Sequence, residues 1–142
     1  MTAKDYLNRH AEAEAKIKAM EREIENLYQT AIGSAPIDEA GQPQHTGKSD
    51  KTGGLASLIA EMRSDIEFLW AQNQRIRHQI ERTLYQVKGA DAFQVLWKKY
   101  IECKHWEEIA DEMDKAKRTV QRIHGEGLKE VEEILKRMEG GL

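Results

Sequence analysis

From position 115 to 122 the chain reads KAKRTVQR, four cations and one amide side chain in eight positions with no acid among them. Arg can fork onto the edge of guanine, Gln onto adenine, and Lys can neutralise a phosphate, so the chemistry these types offer together is recognition of duplex DNA. Val120 and Ile123, three positions apart, mark the inward side of a helix and leave Lys117, Arg118, Gln121 and Arg122 on the opposite side. On this reading Lys117, Arg118 and Gln121 read bases, while Lys104, Lys115, Thr119 and Arg122 grip phosphates. The helix N-terminus adds its own positive end. Just upstream, Glu107, Glu108, Asp111 and Glu112 make the preceding segment acidic, which discourages that segment from lying on DNA. A solvated charged face, common on surface helices, is the plainer account of the same residues.

Other chemistry is poorly served. Cys103, His105 and His124 are metal-ligand types, but a structural zinc needs four ligands in paired spacings and the chain has one cysteine. There is no glycine-rich phosphate loop and no nucleophile elbow, and the carboxylates alternate with Lys and Arg as they do on solvated helices. The expectation is a protein that is not an enzyme and that carries neither metal nor cofactor. His105 is read as flanking a phosphate or as the start of a helix, and His124 as packing on the inner side of the next one.

Helices must position the cationic segment. Trp106, Ile109, Ala110 and Met113 form a short apolar stripe, Asp114 and Lys115 break it, and Val120, Ile123, Leu128 and Val131 resume it. Two helices joined by a tight turn fit that pattern, with Ala110 small where they cross. Upstream, Phe93, Leu96, Trp97, Tyr100 and Ile101 give the broad apolar face of a small globular core, and Trp97 and Trp106 are expected in it. Downstream, Leu128, Val131, Leu135 and Met138 form a further seam, able to pack on the rest of the chain or on a second copy.

The first part of the chain has a different period. Tyr6, Ala13, Ile17, Met20, Ile24 and Leu27 predict a helix over roughly 4 to 30. From Leu55, Ile59, Met62, Ile66 and Leu69 through Asn73, Ile76, Ile80, Thr83 and Val87 the steps alternate four and three, a coiled-coil seam. At 1.5 Å per residue these helices would reach about 40 and about 50 Å. The stretch between them, about 31–54, holds both prolines and reads as a flexible loop, long enough for the helices to fold back as a hairpin. Asn73 is the strongly polar amide in the seam, read either as a selector of register or oligomer or as a place open to water. Phe68, Trp70 and Leu84 lie off the two seam positions, so more than one helix could pack there, and the same seam could instead zip two chains into a homodimer.

The totals agree with this. The 142 residues carry 33% charged and 6% aromatic side chains and a net charge of -3, a balance suited to exposed helices. With a mildly negative total, attraction to nucleic acid must come from a local patch. The single cysteine fits a reducing compartment, and the polar N-terminus with no long apolar run fits a soluble cytoplasmic protein that engages no membrane.

The run from Tyr100 to Val131 resembles the helix-turn-helix of sigma factor region 4, and more closely that of phage late transcriptional regulators of the ArpU/RinA-like kind. The resemblance is carried by Tyr100, Ile101, Trp106, Glu107, Glu108, Ile109, Ala110, Arg118, Val120, Gln121, Arg122, His124 and Leu128. It implies a phage or prophage protein that activates late genes by sequence-specific binding to double-stranded DNA, with host RNA polymerase as a further partner. Three departures stand out: Asp114 where Gly or Asn is usual, Ala116 where Ser or Thr would cap the second helix, and Gly125 and Gly127 inside that helix. The expected architecture is all-α: a coiled-coil hairpin over 1–88, then a small helix-turn-helix domain over 89–142. The rival expectation is a coiled-coil adaptor that binds polymerase or another protein without touching DNA.

Overall fold

The computed structural model describes residues 1–33 and 48–140, and every regular element among them is helical: α1 (Ala3–Gly33), α2 (Lys48–Leu84), α3 (Ala90–Leu96), a π-helical turn (Trp97–Ile101), α4 (Trp106–Met113) and α5 (Lys117–Gly140). The all-α class holds. Of the expected loop over about 31–54, residues 31–33 complete α1 and residues 48–54 belong to α2, and the rest lies outside the described residues. Gly53 and Gly54 sit in α2 with nothing within 4 Å of where a Cβ would stand, so their sequence signal is one of weak helix propensity and not of a turn. Pro36, Pro43, Gly41 and Gly47, which carried the loop reading, lie outside the described residues.

The chain divides into two compact units, Met1–Ala13 with Asn73–Leu142, and Glu14–Gln72. The expected division near residue 88 falls at the connection after α2, yet packing runs across it. Both ends of the hairpin's base share one core with the C-terminal helices, in which Ala3 and Leu7 of α1, Ile80 and Leu84 of α2, Leu96, Tyr100, Ile101, and Val131 and Ile134 of α5 are buried together. Each such aliphatic side chain stabilises by about 1.5–3 kcal/mol on burial. Leu84, off the seam, is fully buried here because α5 covers it. The tail seam also packs inward, with Ile134 in place of the expected Met138, which stays half exposed. Carboxylates of α5 fix the neighbouring ends: Glu132 accepts from Ala3 N–H at 3.2 Å and Glu130 from Lys88 N–H at 2.8 Å. Thr2 and Asp5 cap the start of α1 reciprocally, Asp5 N–H donating to the Thr2 hydroxyl at 3.1 Å.

Within this unit α1 and α2 run antiparallel, since ascending α1 meets descending α2. Tyr6 Oη lies 2.9 Å from Thr83 Oγ1, Arg9 donates to Gln79 Oε1 at 3.4 Å, and His10 Nδ1 lies 3.0 Å from Asn73 Oδ1. Asn73 and His10 are both buried, so the seam amide faces a ring nitrogen of α1 and is not open to water. In the Glu14–Gln72 unit, Ile17, Ile24 and Ile59 are buried, whereas Phe68 and Trp70 are exposed. A shallow groove of about 280 Å³ there is floored by Ile24 and Ile66 and rimmed by Glu21, Arg63 and Glu67.

Gly125 and Gly127 of α5 separate cleanly. A Cβ on Gly127 would stand 2.9 Å from Leu96 Cδ1 and 3.2 Å from its Cγ, because α3 crosses α5 there; one on Gly125 would meet nothing within 4 Å. Gly125→Ala should therefore raise stability by about 0.5–1 kcal/mol, and Gly127→Ala should lower it by about 1–3 kcal/mol, both read by chemical denaturation. A second pair of variants concerns the polar seam contact. His10→Ala or Asn73→Ala alone should cost about 1–3 kcal/mol by removing one side of a buried polar contact, and the double His10→Leu/Asn73→Leu variant should cost clearly less than the two singles added.

Candidate nucleic-acid interface

α4 is short, and local signals define both its ends. His105 precedes it in extended conformation, and its backbone N–H donates to Glu108 Oε1 at 3.3 Å, so the expected helix start is where the structure has it. At the other end Asp114 adopts φ 53 and ψ 48, the left-handed conformation that reverses a helix end. Lys115 N–H then donates back to Ala110 C=O at 3.0 Å, closing the turn. Asp thus takes the backbone shape usually left to Gly or Asn. Ala116 C=O accepts from Val120 N–H at 3.0 Å as α5 begins, and alanine itself has no side-chain oxygen with which to cap that helix.

The two helices share a small core. Ile109 and Ala110 of α4, Val120 and Ile123 of α5 and Val95 of α3 are buried together, with Ala92, Trp106 and Met113 packed on them. Beneath this lies a buried polar pair. Tyr100 Oη is 2.6 Å from His124 Nε2, the two rings stack at 5.6 Å, and the Trp106 ring meets His124 edge-on at 4.8 Å. Burial, assisted by the Lys4 and Lys99 charges, pulls His124 down from 6.5 to about 4, and burial pushes Tyr100 up to about 12. The pair is therefore a neutral hydrogen bond inside the unit and takes no part in an exposed surface. Lys99 Nζ caps the Trp106 ring at 4.6 Å from its centroid.

With Val120, Ile123, Gly127 and Val131 inward, the outward side of α5 is set by geometry. At about 100° per residue, Arg118, Arg122, Gly125 and Lys129 fall within an arc of about 60° opposite the core, with Gln121 beside it and Lys117 further round, on the flank nearer the core. Lys117, Arg118, Gln121, Arg122 and Lys129 are exposed, and Thr119 is half-buried on the flank. Of the residues expected to act together, Lys117, Arg118, Gln121 and Arg122 are thus gathered on one surface. Lys104 and Lys115 are half-buried and drawn elsewhere: Lys104 Nζ to Glu112 Oε2 at 2.8 Å and Lys115 Nζ to Asp91 Oδ2 at 3.5 Å. Lys129 was legible in the sequence, seven residues on from Arg122, but its distance from the cationic run hid it.

Acids of the same chain engage part of this surface. Lys117 Nζ donates to Glu107 Oε1 at 2.8 Å, Arg122 Nη1 to Glu126 Oε1 at 3.1 Å, and Lys98 Nζ lies 3.4 Å from Glu112 Oε1. The Lys117 hydrogen bond holds Glu107 below the usual carboxylate range, and the Lys104 bond does the same for Glu112, which in turn raises Lys104. Arg118 has no ion-pair partner among the described residues. Those residues include no group of three or more metal-ligating side chains, and Cys103 is exposed, its Sγ 3.9 Å from Tyr100 C=O. No described helix is long and apolar enough to cross a membrane.

Compared with protein-family models, with curated proteins and with solved structures, the chain matches none.

The His124 environment has a consequence for pH. Its folded value lies below the ordinary one, so between about 6.5 and 4 the unfolded chain binds a proton that the folded chain resists, and stability falls as pH falls through that window. Allowing for residual solvent screening, the loss should be of order 2 kcal/mol. Thermal midpoints of the wild type and His124→Phe, measured from pH 7 to 4, should differ in slope, the variant lacking the portion that begins below about pH 6.5.

Proposed function

We propose that the protein binds duplex DNA by laying the N-terminal half of α5 in the major groove. One observation carries this: a left-handed turn at Asp114 joins α4 to α5 over a shared apolar core, and the side of α5 facing away from it presents Arg118, Gln121, Arg122 and Lys129 together. These are types that reach base edges and phosphates, and the rigid core beneath them fixes where they point. Arg118 and Gln121 are the base readers, with Lys117 beside them; Arg122 and Lys129 meet phosphate, with Thr119 on the flank. Lys104 and Lys115 would join only by leaving their acidic partners. The resemblance to phage late regulators supports extending this to transcription activation in the cytoplasm of a bacterial host, alongside RNA polymerase. The contact of Asn73 with His10 supports a role for that amide in the register of the hairpin over one in choosing a second chain.

One observation favours the rival, an adaptor that meets another protein: most cations of the surface already have acidic partners within the chain. Anisotropy titrations with labelled duplex fragments separate the two. Under the DNA reading the logarithm of affinity falls with the logarithm of salt at a slope near -4, Arg122→Ala flattens the slope by about one unit, and a Lys117/Arg118/Arg122 triple Ala variant loses binding. A slope near zero, or a triple variant that binds as the wild type does, would favour the adaptor.

A further inference from the structure

On the outward side of α5, Lys117 and Arg122 are engaged by acids, as is Lys104 beside α4, and the acids come from several places. Glu107 and Glu112 lie on α4, one in its first turn and one in its last, and Glu126 lies one turn further along α5 itself. Each meets a different cation: Glu107 and Glu126 hold Lys117 and Arg122 of the proposed interface, and Glu112 helps keep Lys104 out of it. Exposed pairs of this kind are weak in water, so they add little to the fold. Their effect on an incoming polyanion is larger. A phosphate that takes Lys117 must displace Glu107, and the displaced carboxylate remains beside it with like charge. The chain's net charge of -3 supplies no general attraction to offset that.

Resting on the duplex-binding reading, we infer that Glu107, Glu112 and Glu126 are specificity determinants: by holding Lys117, Lys104 and Arg122 they suppress binding to DNA of arbitrary sequence. Phosphate contact alone is then insufficient, and the base contacts of Arg118, which has no ion-pair partner among the described residues, and of Gln121 decide where the protein stays.

The test compares the full-length wild type with a Glu107→Gln/Glu112→Gln/Glu126→Gln variant on a labelled 30-base-pair duplex of mixed sequence, over a series of salt concentrations. A second triple variant, Glu23→Gln/Glu61→Gln/Glu67→Gln, changes net charge equally within the Glu14–Gln72 unit, at positions distant in sequence from α4 and α5. Freeing Lys117 and Arg122, with Lys104 still held by Glu102 at 3.5 Å, should tighten binding about tenfold at moderate salt and steepen the salt slope by roughly two units, because each added phosphate contact contributes about 0.9. The distal variant should change much less, and the melting midpoint of the first should stay within a few degrees of wild type. If wild type binds duplex but the α4–α5 variant has the same affinity and slope, or the distal variant matches it, the inference is overturned and the binding reading stands. If neither wild type nor the α4–α5 variant binds duplex, both fall.

Discussion

The fold depends on α5 serving two cores with one helix. Its first turns contribute Val120 and Ile123 to the small core under α4, and its later turns contribute Val131 and Ile134 to the core that also holds Leu7, Ile80 and Leu84. Between them α3 crosses at Gly127, where Leu96 leaves no room for a β-carbon. The helix propensity lost at that glycine is the local cost of the close approach, and the approach lets one rigid rod carry both the proposed reading surface and the anchor of the hairpin's base. A reading helix supported only by the α4 turn would have a five-residue core of modest size; continuous with α5's second half, it is held along its length.

Polar groups inside the unit follow the same logic of completeness. Asn73 would lower stability if unpaired, but it faces His10, and His124 would favour water if charged, but it stays neutral against Tyr100. Each pair ties elements distant in sequence, α1 to α2 and the π-helical turn to α5. Buried polar contacts of this sort are demanding in geometry, which makes them effective in fixing register where apolar seams alone would tolerate slippage.

How much of this was legible in the sequence depends on the range of the interactions involved. The helices, the α4–α5 turn and the inward Val120 and Ile123 follow from period and local propensity, and the structure has them. His105 and Asp114 were legible as boundaries for the same reason. What escaped were features decided by a partner far along the chain. Asn73 could be singled out, but His10 could not, because nothing local marks a histidine 63 positions away as its partner. Gly127 looked like a plain helix weakness until Leu96 stood against it. The start of α2 was obscured because Gly53 and Gly54 advertise a turn, while the long apolar seam that follows them continues the helix backward.

Composition misleads in one more respect, and it bears on the proposed interface. A run of four cations without an acid suggests an open positive patch, yet folding returns acids to it from α3, α4 and the next turn of α5. Linear charge clustering is therefore a poor measure of surface field when the flanking helix is acidic and packs alongside. The acids of α4 discourage that helix from lying on DNA. Its geometry gives it a second effect, because Glu107 and Glu112 reach lysines outside α4 and lower the charge that any polyanion would meet. Such a surface distinguishes ligands by shape and hydrogen bonding more than by charge, since only a ligand that also satisfies Arg118 and Gln121 offsets the loss of the acid–base pairs.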